Sequence, residues 1–490
     1  MDVHITSTTR PWLGPLVDTA VRTLDRNVVQ DDRGTYIRAG DGYVDPWTRD
    51  AALNSWGAAA VLRPDAARAT LLRVCERLPD GTLVVAQDDQ WWDRMVWVVA
   101  ARDLALTTGD RTLLRTAFDV GLATFRIQHR ERFRPRWGLY AGPALMQDGI
   151  SGLPTPPATT DEPTSFVLDY PDAHEVMTLS TNVLYVAAAR ALAATARELA
   201  GADGLGGADG PAGANGPAGA GGRPGADGLA GADPDALDAH ADRLVAAIRR
   251  HLGDGDTFGA FVHGVGAAAG TLDHHREAAG LALAVLYDVA PPGTAHDVLA
   301  SVGRGRAGAV NVAPHYADRY SDAHPGRHNA MCWPMVMGLV GLAAAAAGDA
   351  AGVARTLDDL RALVDRSGGR FDEVHDARTG EPSGGWQCGF LWDSEPNQTW
   401  SATSFLRLVH HGVLGLRADL DGLRLAPLRP AGGEVVTATG VPFRAASIDL
   451  TIEAGERDSV SVDGDDVTDR AVHLPTGTTG HHVVRVVVAS

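Results

Sequence analysis

The sequence predicts a mainly α protein: a toroid of helical hairpins over residues 1–415, followed by a small antiparallel β domain over 416–490. Three observations carry that prediction. Amphipathic stretches with helical spacing recur as far as about residue 415, the period then changes to apolar–polar alternation, and the residues unusual for loops gather in the connections between helices. A chain of 490 residues, 45% of them hydrophobic, holds enough apolar material for one large core and one small one.

The helical stretches lie near 12–28, 49–61, 64–78, 92–108, 110–130, 178–200, 234–252, 273–288, 294–303, 329–347, 350–367 and 399–414. Their connections alternate long and short, as in a ring of antiparallel pairs whose long loops collect at one end. Between 201 and 233 glycine recurs at every third position for eleven triplets. Collagen would need three chains and imino acids in most triplets, whereas this stretch has three prolines and sits between two helices. It reads as a flexible, disordered insert. Replacing 203–231 by a short Gly-Ser turn is therefore expected to leave the melting temperature nearly unchanged, because loop length costs little closure entropy. A deletion variant that no longer folds would refute this. After "VLGLRADLDGLRLAPLRP", the segments "ASIDLTIEAG", "DSVSVDGDDV" and "HHVVRVVVAS" alternate and are rich in Val, Ile and Thr, as strands are.

Composition excludes several classes of function. A net charge of −18 leaves no basic surface for a polyanion, so nucleic acid is not an expected partner. The chain has no lysine, all 43 basic residues being arginine, which excludes Schiff-base chemistry and a P-loop lysine. Cys75, Cys332 and Cys388 are far apart and support neither a disulfide framework nor a zinc site. No cofactor and no metal are expected. The start of the chain carries no basic region followed by an apolar one, and no apolar run is long enough to span a bilayer, so the expectation is a soluble cytoplasmic protein without a membrane partner.

The chemistry-bearing residues lie in the connections. "DPWTRDAALNSWG" sets Trp47, Arg49 and Asp50 at a helix start, where Asp50 could simply favour the macrodipole or, with Arg49 and the indole, hold a sugar's hydroxyls and its C–H face. "QDDQWWDRMVW" places Asp88 and Asp89 beside Trp91 and Trp92, a combination poor for a core and poor for a solvated face. "HPGRHNAMCWP" holds His324, His328 and Trp333, with no carboxylate at a helical spacing to complete a metal site. "FDEVHDARTGEPSGGW" presents Glu373 between a Gly-Gly turn and a Thr-Gly pair, with Trp392, Glu395 and Trp400 following. Carboxylates interleaved with tryptophans at one end of a helical ring describe a carbohydrate site, where rings stack on indoles and carboxylates do acid–base work.

At these segments the chain resembles a known group. "WTRDAALNSW", "FDEVHDARTGEP" and "QTWSATSFLR" look like the corresponding segments of the six-hairpin glycoside hydrolases, the glucoamylase, processing α-glucosidase I and debranching-enzyme-like enzymes. The resemblance implies an (α/α)6 barrel and an inverting hydrolase. It implies that Glu373, in a Phe-x-Glu segment followed by Thr379–Gly380 and Trp400–Ser401, is the general base, with Glu395 as a rival because of the long interval before Trp400. It implies a general acid in "LYAGPALMQDGISGLP", where Asp148 matches and Asp161 and Glu162 are alternatives. Arg49 and Asp50 match the pair that holds the non-reducing sugar, which implies exo action on an α-glycoside of a small oligosaccharide or glycoconjugate. The rival readings are a phosphorylase, a sugar epimerase or lyase using His324 or His328, and a non-catalytic carbohydrate-binding protein.

Overall fold

The computed structural model describes residues 3–147, 167, 171–203, 233–317, 320–387, 390–467 and 472–489. Its α-helices of six residues or more are α1 (Leu13–Asn27), α2 (Thr48–Asn54), α3 (Pro64–Arg73), α4 (Arg94–Thr108), α5 (Arg111–Arg132), α6 (Leu179–Asp203), α7 (Pro234–His251), α8 (Ala278–Leu286), α9 (Ala295–Ala300), α10 (Pro334–Ala346), α11 (Ala350–Arg366) and α12 (Thr399–Arg407). All twelve fall on the helical stretches of the sequence. Most of the glycine-rich stretch lies outside the described residues.

The even-numbered helices pack one on the next, α2 on α4, α4 on α6, α6 on α8, α8 on α10, α10 on α12, and α12 closes back onto α2. The odd-numbered helices lie outside this ring against their neighbours. That is the contact order of an (α/α)6 toroid, and the sequence explains it. Inner helices such as α8 (AAGLALAVL) and α10 (PMVMGLVGLAAAA) are apolar nearly all round and buried nearly throughout, whereas outer helices such as α1, α7 and α11 bury one stripe and leave charges on the other face. Close approach between helices needs a missing side chain, as at Gly338. A Cβ on Gly338 of α10 would stand 1.9 Å from Ser404 Oγ of α12, and that hydroxyl donates to Met335 O at 2.9 Å. The ring is sealed by polar groups: Thr403 Oγ1 donates to Asn54 Oδ1 at 2.9 Å, and the buried Arg407 guanidinium donates to Trp56 O at 2.8 Å and to Leu53 O.

Connections from an outer to the next inner helix are long (28–47, 74–93, 133–178, 252–277, 301–333 and 367–398), and the returns 109–110, 287–294 and 347–349 are short. The N-termini of the inner helices therefore share one end with the long connections. Several of these are stiffened by two-stranded ribbons, for example Val28–Asp31 with Gly34–Ile37 and Cys75–Arg77 with Leu83–Val85.

The C-terminal strands depart from the sequence expectation. Strands β1 (His4–Ser7), β2 (Val435–Phe443), β3 (Ala445–Ala454), β4 (Ser459–Val462), β5 (Asp465–Val467) and β6 (Thr479–Val488) form one sheet in the order β1-β2-β3-β6-β4-β5. The expected antiparallel arrangement is corrected on one point: β3 and β6 run parallel over their full length, Ala445 opposite Thr479 through Ala454 opposite Val488, and the sheet is mixed. Alternation along a strand is the same whichever way its neighbour runs, so direction is not written in the pattern. The sheet also takes in β1 from the other end of the chain, paired antiparallel to β2. It is tied to the ring through Arg444, whose guanidinium donates to Leu106 O at 2.8 Å at the end of α4.

Among the described residues no helix is long and apolar enough to cross a membrane. Burial pushes the Cys75 and Cys332 thiols up to about 12. One buried acid at the start of an inner helix leads to a pH prediction. Glu277, immediately before α8, is fully enclosed, with Oε2 accepting from Ser180 N at 3.3 Å, and burial raises its carboxyl from the ordinary 4.5 to about 7. The folded chain thus holds a proton that the unfolded chain releases. Stability falls as pH rises through that window, by about 3 kcal/mol once both states are ionised. Glu277→Gln is expected to raise the melting temperature at about pH 8 far more than at about pH 4. Equal shifts at both pH values in thermal melts would refute it.

Candidate active site

Most of the residues around one cavity, about 180 Å³, come from segments that lead into inner helices at their N-terminal end. Tyr43 and Trp47 precede α2, and Arg49 and Asp50 form its first turn; Gln90 precedes α4; Arg327, His328 and Trp333 precede α10; Glu373, Gln387, Trp392 and Gln398 precede α12, with Trp400 in its first turn. Long connections can converge on one spot because they all leave the ring at the same end.

Glu373 is held from both sides. Phe371 is buried against Phe405 of α12, ring centroids 5.7 Å apart, and Val374 is buried as well, so the glutamate between them is fixed by apolar anchors. Behind it, Asp376 Oδ1 accepts from Arg378 N (2.8 Å) and Thr379 N (3.0 Å), and Gly380 takes φ +76°, which folds "DARTG" into a tight turn. The loop of the sequence analysis is thus a structured excursion whose product is one presented carboxylate. Glu373 Oε2 accepts from Arg327 Nη2 at 2.6 Å, both side chains being buried, while the Tyr43 hydroxyl stands 3.5 Å from Oε1. Burial first, then the Glu373 charge, raises the Tyr43 phenol well above its ordinary value, so it stays a donor. Arg327 is itself fixed, donating to Gly384 O at 2.9 Å with its guanidinium 5.0 Å from the Trp333 ring and 5.9 Å from that of Trp392.

The α2 pair lines the same cavity. Arg49 Nη1 donates to Asp93 Oδ2 and to Leu145 O, both at 2.9 Å, with its guanidinium 5.2 Å from the Trp400 ring. Asp50 is buried and faces the cavity. Trp333 and Trp400 meet edge to face at 5.9 Å and form a buried aromatic wall, whereas Trp47 and Trp392 stand partly exposed at the mouth. The segment 145–147 is bound into the same end of the ring: Leu145 N donates to Ser180 Oγ (2.9 Å), His328 Nδ1 meets Met146 O (2.9 Å), and Gln147 Nε2 donates to His328 O (3.1 Å).

Of the residues singled out from sequence, Trp47, Arg49, Asp50, Trp333, Glu373, Trp392 and Trp400 all line this cavity. Asp88, Asp89 and Trp91 do not line it. Asp88 Oδ2 accepts from Thr48 N (3.2 Å), serving the first turn of α2; Asp89 is exposed; and Trp91 is packed under the Arg132 guanidinium (3.8 Å), donating Nε1–H to Ala141 O. Within "QDDQWW" only Gln90 turns to the cavity, while the Asp88 carboxylate serves a helix start and the indoles of Trp91 and Trp92 fill a small apolar cluster. Glu395 lies beside the cavity without lining it, because its carboxylate turns away to take the Gly42 N–H at 2.5 Å. Burial, and next among the raising causes the Glu373 charge, pushes the Glu395 carboxyl above its ordinary value, against the Gly42 hydrogen bond. His324 is exposed near Trp386, and His328 is buried in the wall. Asp148, Asp161, Glu162 and Cys388 lie outside the described residues. Sequence reasoning missed Tyr43, Gln90, Arg327, Gln387 and Gln398. The available signal was an arginine inside the aromatic "HPGRHNAMCWP", a costly place for an unpaired cation.

No family model matches the chain, and no curated protein matches it in sequence. Its backbone is similar to those of solved structures. One is a sialidase, with a TM-score of 0.62 and 15% identity over 90% of this chain, of which this chain spans 37%. A second is a GH63 mannosylglycerate hydrolase from Thermus thermophilus in complex with glucose, with a TM-score of 0.55 and 20% identity over 81% of this chain and 100% of that one. A third is a GH78 rhamnosidase of Bacillus sp. GL1, with a TM-score of 0.52 and 15% identity over 100% of this chain and 44% of that one. At such identities what is shared is the fold, and the fold of this chain is one on which solved glycoside hydrolases are built.

Proposed function

We propose that this chain is an inverting, exo-acting glycoside hydrolase that cleaves an α-glycoside of a small oligosaccharide or glycoconjugate, the 1–415 ring being the catalytic unit and 416–490 an accessory β unit. The observation that carries this reading is the buried Glu373 carboxylate, anchored through one oxygen by Arg327 at 2.6 Å, in a cavity walled by indoles and ending on Arg49 and Asp50. Its two oxygens then have different work. Oε2 is held, and Oε1, towards Tyr43, takes the proton of the attacking water. Glu395 fits the part of base less well, since its carboxylate is engaged by the Gly42 N–H.

In this mechanism water attacks the anomeric carbon from the Glu373 side, and an acid on the other face protonates the leaving oxygen. Asp148 is proposed as that acid, one residue beyond the 145–147 segment bound to Arg49, Ser180 and His328. The two carboxyl groups then stand about 6.5–9.5 Å apart to admit the water. Arg49 and Asp50 hold the terminal sugar. The fold neighbour named for mannosylglycerate, a sugar joined to a small acid, supports a glycoconjugate of that size.

The test is a panel of aryl α-glycosides, disaccharides and mannosylglycerate, with NMR of the first-formed anomer. A β-anomer released from an α-glycoside is expected. An α-anomer appearing first would overturn inversion, and absence of any sugar release would overturn the hydrolase reading.

A further inference from the structure

The mouth of the cavity differs in chemistry from its interior. Among the described residues eight large apolar side chains are exposed, and five of them belong to the two segments that frame the mouth: Val44 (78%), Trp47 (43%), Phe390 (57%), Leu391 (62%) and Trp392 (40%). Trp47 and Trp392 both line the cavity, and Phe390 pairs across its ribbon with Gln387, another lining residue. The two segments are stitched together beneath this surface, by Gly42 N to Glu395 Oε1 (2.5 Å) and by Asn397 Nδ2 to Asp41 Oδ2 (2.9 Å). Apolar surface left in water at one place on a molecule calls for an occupant.

We propose that this rim binds an apolar aglycone, so that the substrate is an amphiphilic glycoside with its sugar on Arg49 and Asp50 and its alkyl or aryl group across Val44, Phe390 and Leu391. The inference rests on the hydrolase reading and names the class of its leaving group. A second sugar would want flat rings and hydrogen-bonding partners. Indoles offer the first, but the branched aliphatic side chains of Val44 and Leu391 offer neither, and hydrocarbon is what they can bury. Position decides against a second copy of the chain as occupant. The rim is continuous with the cavity, so a group attached to a bound sugar leaves the cavity over Trp47 and Trp392. In the reaction, water oxygen bonds to the anomeric carbon as the bond from that carbon to the aglycone oxygen breaks. Glu373 takes a proton from the water and the acid gives one to the aglycone oxygen, releasing free sugar and an apolar alcohol.

The experiment compares methyl, n-butyl and n-octyl α-glycosides of the sugar that the anomer panel releases. The leaving alcohols have nearly equal acidity, so differences report binding along the rim. From methyl to octyl, kcat/KM is expected to rise about 10- to 50-fold, mostly through KM, the gain of a partly buried chain. The double variant Phe390→Thr/Leu391→Thr, which keeps strand-forming residues, is expected to flatten the series to within about 3-fold while the methyl glycoside is cleaved at the wild-type rate. A flat wild-type series, or a slope that survives the double variant, overturns the inference and leaves the hydrolase reading standing. Sedimentation over a wide concentration range provides the second arm: a dimer that the double variant dissociates assigns the rim to a second copy and overturns the aglycone. A panel that releases no sugar removes the hydrolase reading and this inference together.

Discussion

Glu373→Gln is expected to lower kcat by about 10²–10⁴ while substrate still binds, because the amide keeps the shape of the side chain and its contact with Arg327 but cannot accept the proton of the attacking water. The choice of glutamine matters. Removing the side chain would leave the Arg327 guanidinium buried without the carboxylate that it meets at 2.6 Å, a change that costs about 3–5 kcal/mol of stability in such pairs. A dead alanine variant would thus confuse unfolding with lost chemistry. Azide should yield no product of retained configuration from the glutamine variant, since an inverting path forms no glycosyl-enzyme. Glu395→Gln is the matched control and is expected to stay within about 10-fold of wild type, its carboxylate being spent on the Gly42 N–H. If steady-state kinetics show the reverse ranking, the base is Glu395.

Asp50→Ala is expected to cost at least about 100-fold in kcat/KM, or about 2.7 kcal/mol of transition-state binding. The carboxylate is buried in the first turn of α2 and faces the cavity, where hydrogen bonds to a sugar form away from competing water. Its neighbour Arg49 is held by Asp93 and Leu145 O, so the loss should appear in the sugar's contacts and leave the wall in place. Thermal melts separate the two outcomes. A folded variant with near-normal kcat/KM would take Asp50 out of the site.

Much of the fold was legible because it is written locally. Helical spacing marks all twelve helices, since a helix shows its buried face through residues three and four apart, and the change to alternation near 416 marks the strands of the sheet. The residues that line the cavity were legible where a residue type was out of place for a loop or a helix start: the tryptophans at 47, 333, 392 and 400, the Arg49–Asp50 pair, and Glu373 between a Gly-Gly turn and a Thr-Gly pair.

What only the tertiary structure decided were the partners. Asp88 and Asp89 carry the same chemistry in the sequence as Asp50, yet Asp88 is a hydrogen-bond acceptor for the start of α2 and Asp89 is left in solvent. Arg327 and Glu373 are 46 residues apart and meet only because two long connections leave the ring at one end. The parallel pairing of β3 with β6, and the recruitment of β1 from the far end of the chain, join segments distant in sequence, which no local pattern specifies. Periodicity states which face of an element is buried; the neighbour that buries it is set by closure of the whole ring, to which every segment contributes and which no single one specifies.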